Sequence, residues 1–81
     1  MTGLEAAFYD LLEPAAPEIA LLGEPTLRLL AGSLAATARD AVSGIIRLSD
    51  CDIAMRRELR RRGYPPDRAA GAARRMVEFV A

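Results

Sequence analysis

The 81-residue chain contains no His, Lys, Asn, Gln or Trp, and only one cysteine, Cys51. Each absence removes a chemistry. Without His there is no side chain whose ordinary pKa lies near neutrality, so acid-base work would fall to a carboxylate or tyrosine with a strongly shifted pKa. A lone cysteine without histidine cannot build the usual zinc sites or close an internal disulfide. "SDCD" (49–52) lacks the glycine and distal glutamate of a calcium loop, no glycine-rich phosphate loop occurs, and no Ser sits in the Asp-Ser-Leu context of a carrier protein. These gaps point away from an enzyme, and the sequence implies no metal and no cofactor. A reducing, cytoplasmic setting suits the single thiol.

No export signal is expected from "MTGLEAAFYD", which has neither a positive n-region nor a continuous apolar run. The most apolar window, residues 27–46, is long enough to span a bilayer, but it carries Arg28, Arg39 and Asp40. Central charges of that kind are costly in lipid, so no membrane association is expected.

What is present is alanine, leucine and arginine. Apolar residues make up 52% and charged residues 27% of the chain, the composition of a folding globular sequence, and the length suits one domain over 1–81. Helical spacing dominates, without sustained strand alternation. Thr2 and Glu5 form a capping-box pattern, and Leu4, Phe8, Leu11 and Leu12 make an apolar face, predicting a first helix near 3–13 that Pro14 and Pro17 stop. "PEIALLG" (17–23) fits a helical turn or two directing Ile19 and Leu22 inward. Leu27, Ala31, Leu34, Ala38, Ala41, Ile45 and Leu48 then form a heptad-like seam, predicting a long second helix over about 25–48. Beside it runs a small-residue row, Gly32, Ala36, Asp40 and Gly44, a candidate face for a second copy of the chain. Ser49 reads as the cap of a third helix ending at Arg62. Gly63 reads as its C-terminal cap, with "YPPD" leading into a last helix over 66–80 that buries Ala70, Ala73, Met76, Val77 and Val80. The expected fold is an all-α bundle of three or four helices around the long second one, with a helix-Gly-helix corner at 63–66.

The charges are unevenly distributed. Residues 1–53 hold eight acids and three arginines, a net −5, whereas residues 54–81 hold eight arginines and three acids, a net +5. On the third helix Cys51, Met55 and Leu59 share the inner side, and Arg56, Arg57, Arg60 and Arg61 span the opposite arc with Ile53 at its centre. Glu58 stands four residues before Arg62, a favourable intrahelical pair.

Three uses of this face are open. The arginines can pair with the acids of the first segment, Glu5, Asp10, Glu13, Glu18 and Glu24; exposed pairs of that kind contribute about 0–1 kcal/mol each. They can ring an apolar patch that docks on an acidic protein, since Arg is enriched at such interfaces. Or they can neutralise nucleic-acid phosphates. A helix-turn-helix reader is poorly supplied: the turn holds two prolines, Arg62 stands where an apolar residue would pack, and without Asn, Gln or Lys base readout would rest on arginine and short hydroxyls. The expectation is a small adaptor, assembly or regulatory subunit that contacts an acidic protein through Ile53, Arg56, Arg57, Arg60, Arg61, Tyr64, Arg68 and Arg75, with nucleic-acid phosphates as the alternative.

The stretch "LRRRGYPPDRAAGAARRMVEF" is similar, over about twenty residues around Gly63 and Tyr64, to the first hairpin of ubiquitin-associated domains and to the helical repeats of RecX-type recombinase regulators. The chain has neither the flanking helix of the former nor the repeated three-helix units of the latter. The shared element is a helix-Gly-helix corner, and no residue's role is carried over from either family.

Overall fold

The computed structural model describes residues 3–12 and 22–81. They form four helices, α1 (Gly3–Leu12), α2 (Glu24–Val42), α3 (Leu48–Arg61) and α4 (Pro66–Val80), with no strand among the described residues. The fold is a small all-α bundle. α1 packs along α2, α3 pairs with α4, and α2 crosses to α3; α4 is also reached by α1 and α2, whereas α1 does not touch α3. The smallest extent, 17 Å, is that of two helix layers with axes about 8–10 Å apart.

Alanine decides how these helices approach. α2 buries Leu30, Ala31, Leu34, Ala35 and Ala38, and α4 buries Ala69, Ala72, Ala73 and Met76. The large side chains fill the spaces that these small ones leave: Phe8 and Leu12 from α1, Met55 and Leu59 from α3, and Met76 from α4 are all fully buried in one cluster. Phe8 also meets the edge of Phe79, with ring centroids 6.2 Å apart and planes at 75°, the T-shaped arrangement that aromatic quadrupoles favour.

The helix ends explain where sequence and structure part. α2 stops at Val42, six residues short of the expected end. Gly44 takes φ +80°, its N–H donates to Ala41 O at 3.1 Å, and the Ile45 N–H donates to Asp40 O at 2.8 Å. This is a Schellman cap. Continuing the helix through Gly44 would cost about 1 kcal/mol relative to alanine, whereas the left-handed turn satisfies the last carbonyls at once. The seam therefore breaks: Ala31, Leu34 and Ala38 are buried and Leu27 and Ala41 half-buried, but Ile45 is 71% and Leu48 43% exposed. In the small-residue row, Gly32 is half-buried and Ala36, Asp40 and Gly44 are exposed.

Other differences are smaller. α3 begins at Leu48 with Arg47 at the N-cap position and no side-chain cap, so Ser49 lies inside the first turn. α4 has the expected bounds, with Pro66 at its start where the missing N–H costs nothing. Its buried face is rotated slightly, however: Ala69 and Ala72 are buried, while Ala70, Val77 and Val80 are half-buried. Leu22 packs half-buried against the core. Thr2 of the capping box, Glu13, the stops at Pro14 and Pro17, and Ile19 lie outside the described residues.

Candidate functional site

A groove of about 670 Å³ runs between α3 and α4. Its α3 side is Ile53, Arg56, Arg57, Arg60 and Arg61; its α4 side is Pro66 and Ala70. The helical period creates this arrangement. With Cys51, Met55 and Leu59 turned into the core, positions 53, 56, 57, 60 and 61 fall on the outer arc. The result is an isoleucine left 54% exposed among cations.

The four arginines are not equivalent. Arg56 pairs with Asp52 at 2.9 Å, one turn earlier. Arg61 forms a bidentate fork on Glu58, with Nη2 donating to both carboxylate oxygens at 2.9 Å, and Arg62 Nε adds a contact of 3.4 Å from the other side. The hydrogen bonds from Arg61, ahead of its charge and the contribution of Arg62, hold the Glu58 carboxyl below its ordinary pKa against a smaller opposing effect of burial. Arg57 and Arg60 pair with no acid among the described residues.

The acidic first segment does not serve this face among the described residues. Glu5 pairs with Arg39 of α2 at 3.8 Å, and Glu24 pairs with Arg28 within α2. Asp10 is on α1, which does not reach α3. Glu13 and Glu18 lie outside the described residues.

Of the eight residues expected to form the contact surface, the structure brings five together: Ile53, Arg56, Arg57, Arg60 and Arg61. Three stand apart. Tyr64 is 3% exposed and belongs to the core; the left-handed turn at Gly63 (φ +100°) and the bond from its own N–H to Leu59 O turn it inward, and that burial raises its phenol pKa. Arg68 and Arg75 are exposed but absent from the groove lining. Lying two before and five after Ala70, they point roughly 140–160° around α4 from it. Arg75 instead folds over Gly71, its Nη1 3.6 Å from where a Cβ would stand.

Sequence reasoning missed Pro66 and Ala70 as the opposite wall, and Asp52 as the partner of Arg56. The Asp52–Arg56 spacing of four was readable as an ion pair. The wall required knowing that α4 folds back along α3. Glu58 was expected to serve Arg62, but its stronger partner is Arg61, three residues on.

Cys51 is fully buried, with its thiol directed at Thr37 O at 3.9 Å. Burial first, then the charges of Asp52 and Asp40, raise its pKa. All three oppose the thiolate that a nucleophile requires. Among the described residues no three potential ligands converge on a metal position, and no helix is long and apolar enough to cross a membrane. No protein-family model matches the chain, and no curated protein or solved structure matches it.

Proposed function

We propose that this chain is a non-enzymatic binding module, an adaptor, assembly or regulatory subunit acting in the cytoplasm, that docks an acidic protein partner in the α3/α4 groove. The observation that carries the reading is Ile53, half-exposed in the middle of a cationic arc, with Arg57 and Arg60 beside it unpaired among the described residues. Leaving a β-branched apolar side chain in water gains nothing for the free protein. Covering it does, at about 25 cal/mol per Å² of apolar area buried, and arginines around an apolar centre are the composition of an interface.

A second reading has a specific observation of its own. Arg57 and Arg60 are adjacent cations, unpaired among the described residues, that two phosphates of a nucleic-acid backbone could take, in which case binding would weaken steeply with salt.

One titration tests both. Fluorescence anisotropy is measured for labelled acidic peptides, with and without apolar residues, and for duplex and single-stranded DNA and RNA, at ionic strengths of about 0.05 and 0.15 M, between which screening deepens. Binding of the apolar-acidic peptides that persists at the higher salt and is lost in Ile53→Ser supports the protein partner. Silence from the peptides, with nucleic-acid binding that collapses with salt and is lost in Arg57→Ala/Arg60→Ala, transfers the groove to phosphates.

A further inference from the structure

We infer that the occupant of the α3/α4 groove is an amphipathic acidic helix whose contact stripe reads apolar-x-x-x-acid-x-x-acid. This rests on the acidic-partner reading and adds the partner's shape and register. The starting point is the division of labour among the arginines. Arg56 and Arg61, at the flanks, are already held by Asp52 and Glu58. The positions that remain for a partner are Ile53, Arg57 and Arg60, and these occupy i, i+4 and i+7 of one helix.

That spacing sets a ruler. At 1.5 Å per residue the two guanidinium positions lie about 6 Å and about 10.5 Å beyond Ile53 along the α3 axis. A second helix laid alongside repeats the same intervals with an apolar residue followed by acids at its own i+4 and i+7. An extended strand returns to the same face about every 6.6 Å, so it meets the first arginine and overshoots the second by roughly 3 Å. The facing wall is formed by Pro66 and Ala70, short side chains one helical turn apart on α4. Helix-in-groove docking of this kind is read by anchors at i, i+3, i+4 and i+7.

Chemistry selects the charge and the anchor. Carboxylates on the partner meet two arginines that lack an acid among the described residues, and a Leu or Ile meets the exposed Ile53. A nucleic-acid backbone supplies the anions but nothing for Ile53.

The test uses labelled peptides of about 16 residues, long enough to reach helical form on binding. One carries the matched stripe; a second has the same composition with its leucine and glutamates on opposite faces; a third replaces the two stripe glutamates by glutamine. Anisotropy titrations are run on the native chain, on Ile53→Ser, on Arg57→Ala/Arg60→Ala, and on Arg68→Ala/Arg75→Ala, with circular dichroism confirming that each variant is folded. The expected result is that the matched peptide binds at least about tenfold tighter than the scrambled and glutamine peptides, a difference of about 1.4 kcal/mol. The preference disappears in Ile53→Ser and in Arg57→Ala/Arg60→Ala, and is kept in Arg68→Ala/Arg75→Ala. Equal binding of the matched and scrambled peptides overturns the helical register while leaving an acidic partner in place. Failure of every acidic peptide to bind overturns both, and loss of the preference in Arg68→Ala/Arg75→Ala places the contact on the other face of α4 and overturns the groove.

Discussion

The Tyr64 N–H donates to Leu59 O at 3.1 Å, and the side chains of the same two residues lie together in the core cluster. With the Gly63 N–H bonded to Arg60 O at 3.0 Å, this is a Schellman cap carrying apolar residues at both of its characteristic positions. The cap at Gly44 has the same hydrogen bonds but pairs Ile45 with Asp40. One corner thus joins the core, and the other leaves its isoleucine in water.

Gly63 holds φ +100°, and a Cβ there would meet nothing within 4 Å. The cost of Gly63→Ala is therefore backbone strain alone, about 1–2 kcal/mol for a left-handed alanine. Gly71 is the opposite case, a glycine within α4 whose Cβ would make ordinary contact with Arg75. Gly71→Ala should stabilise by about 0.5–1 kcal/mol through helix propensity. Urea unfolding of the two variants should shift the midpoint in opposite directions.

Tyr64→Ala should cost about 3 kcal/mol, the usual loss when a buried aromatic ring is removed. Tyr64→Phe should leave stability nearly unchanged, because the ring makes the packing and the hydroxyl makes no hydrogen bond among the described residues. The same pair of variants should not differ in peptide affinity once both are folded, since Tyr64 is absent from the groove lining.

The four helices were legible because α1, α3 and α4 carry period-3.6 apolar faces bounded by Pro or Gly, and the arginine arc followed from the α3 period alone. The end of α2 was hidden because Ile45 and Leu48 continue the heptad seam past Gly44; only a packed α3 shows that the turn prevails over the pattern. In sequence Tyr64 reads as a contact residue at the Gly63 corner, whereas its inward turn depends on the cap's left-handed geometry. Pro66 and Ala70 carry no chemical signal in sequence, and become a wall only through the return of α4 along α3.

Cys51 has no exposed surface, and its raised pKa keeps the thiol protonated at neutral pH. A thiol reagent should therefore label it only when the α2/α3 packing opens. The labelling rate of the native chain should rise with urea in step with unfolding, and Met55→Ala, which leaves a cavity in the same cluster, should accelerate it at zero urea. Rapid labelling of the native chain at neutral pH would contradict the buried placement.

Glu58 supplies the acid-dependent part of the arginine face. Its folded pKa is depressed, chiefly by the hydrogen bonds from Arg61, so its stabilising contribution is present above the unfolded value of about 4.3 and is lost as pH falls through the folded value. Glu58→Gln should therefore lower stability slightly at neutral pH, in keeping with a surface ion pair, and the gap between the two chains should close as pH falls through the depressed folded value. Peptide binding should move the other way. Removing the Glu58 carboxylate frees Arg61 for a partner's acid, so Glu58→Gln should bind the matched acidic peptide more tightly at neutral pH while unfolding more easily, a divergence that separates the fold's use of this glutamate from the groove's use of the arginine beside it.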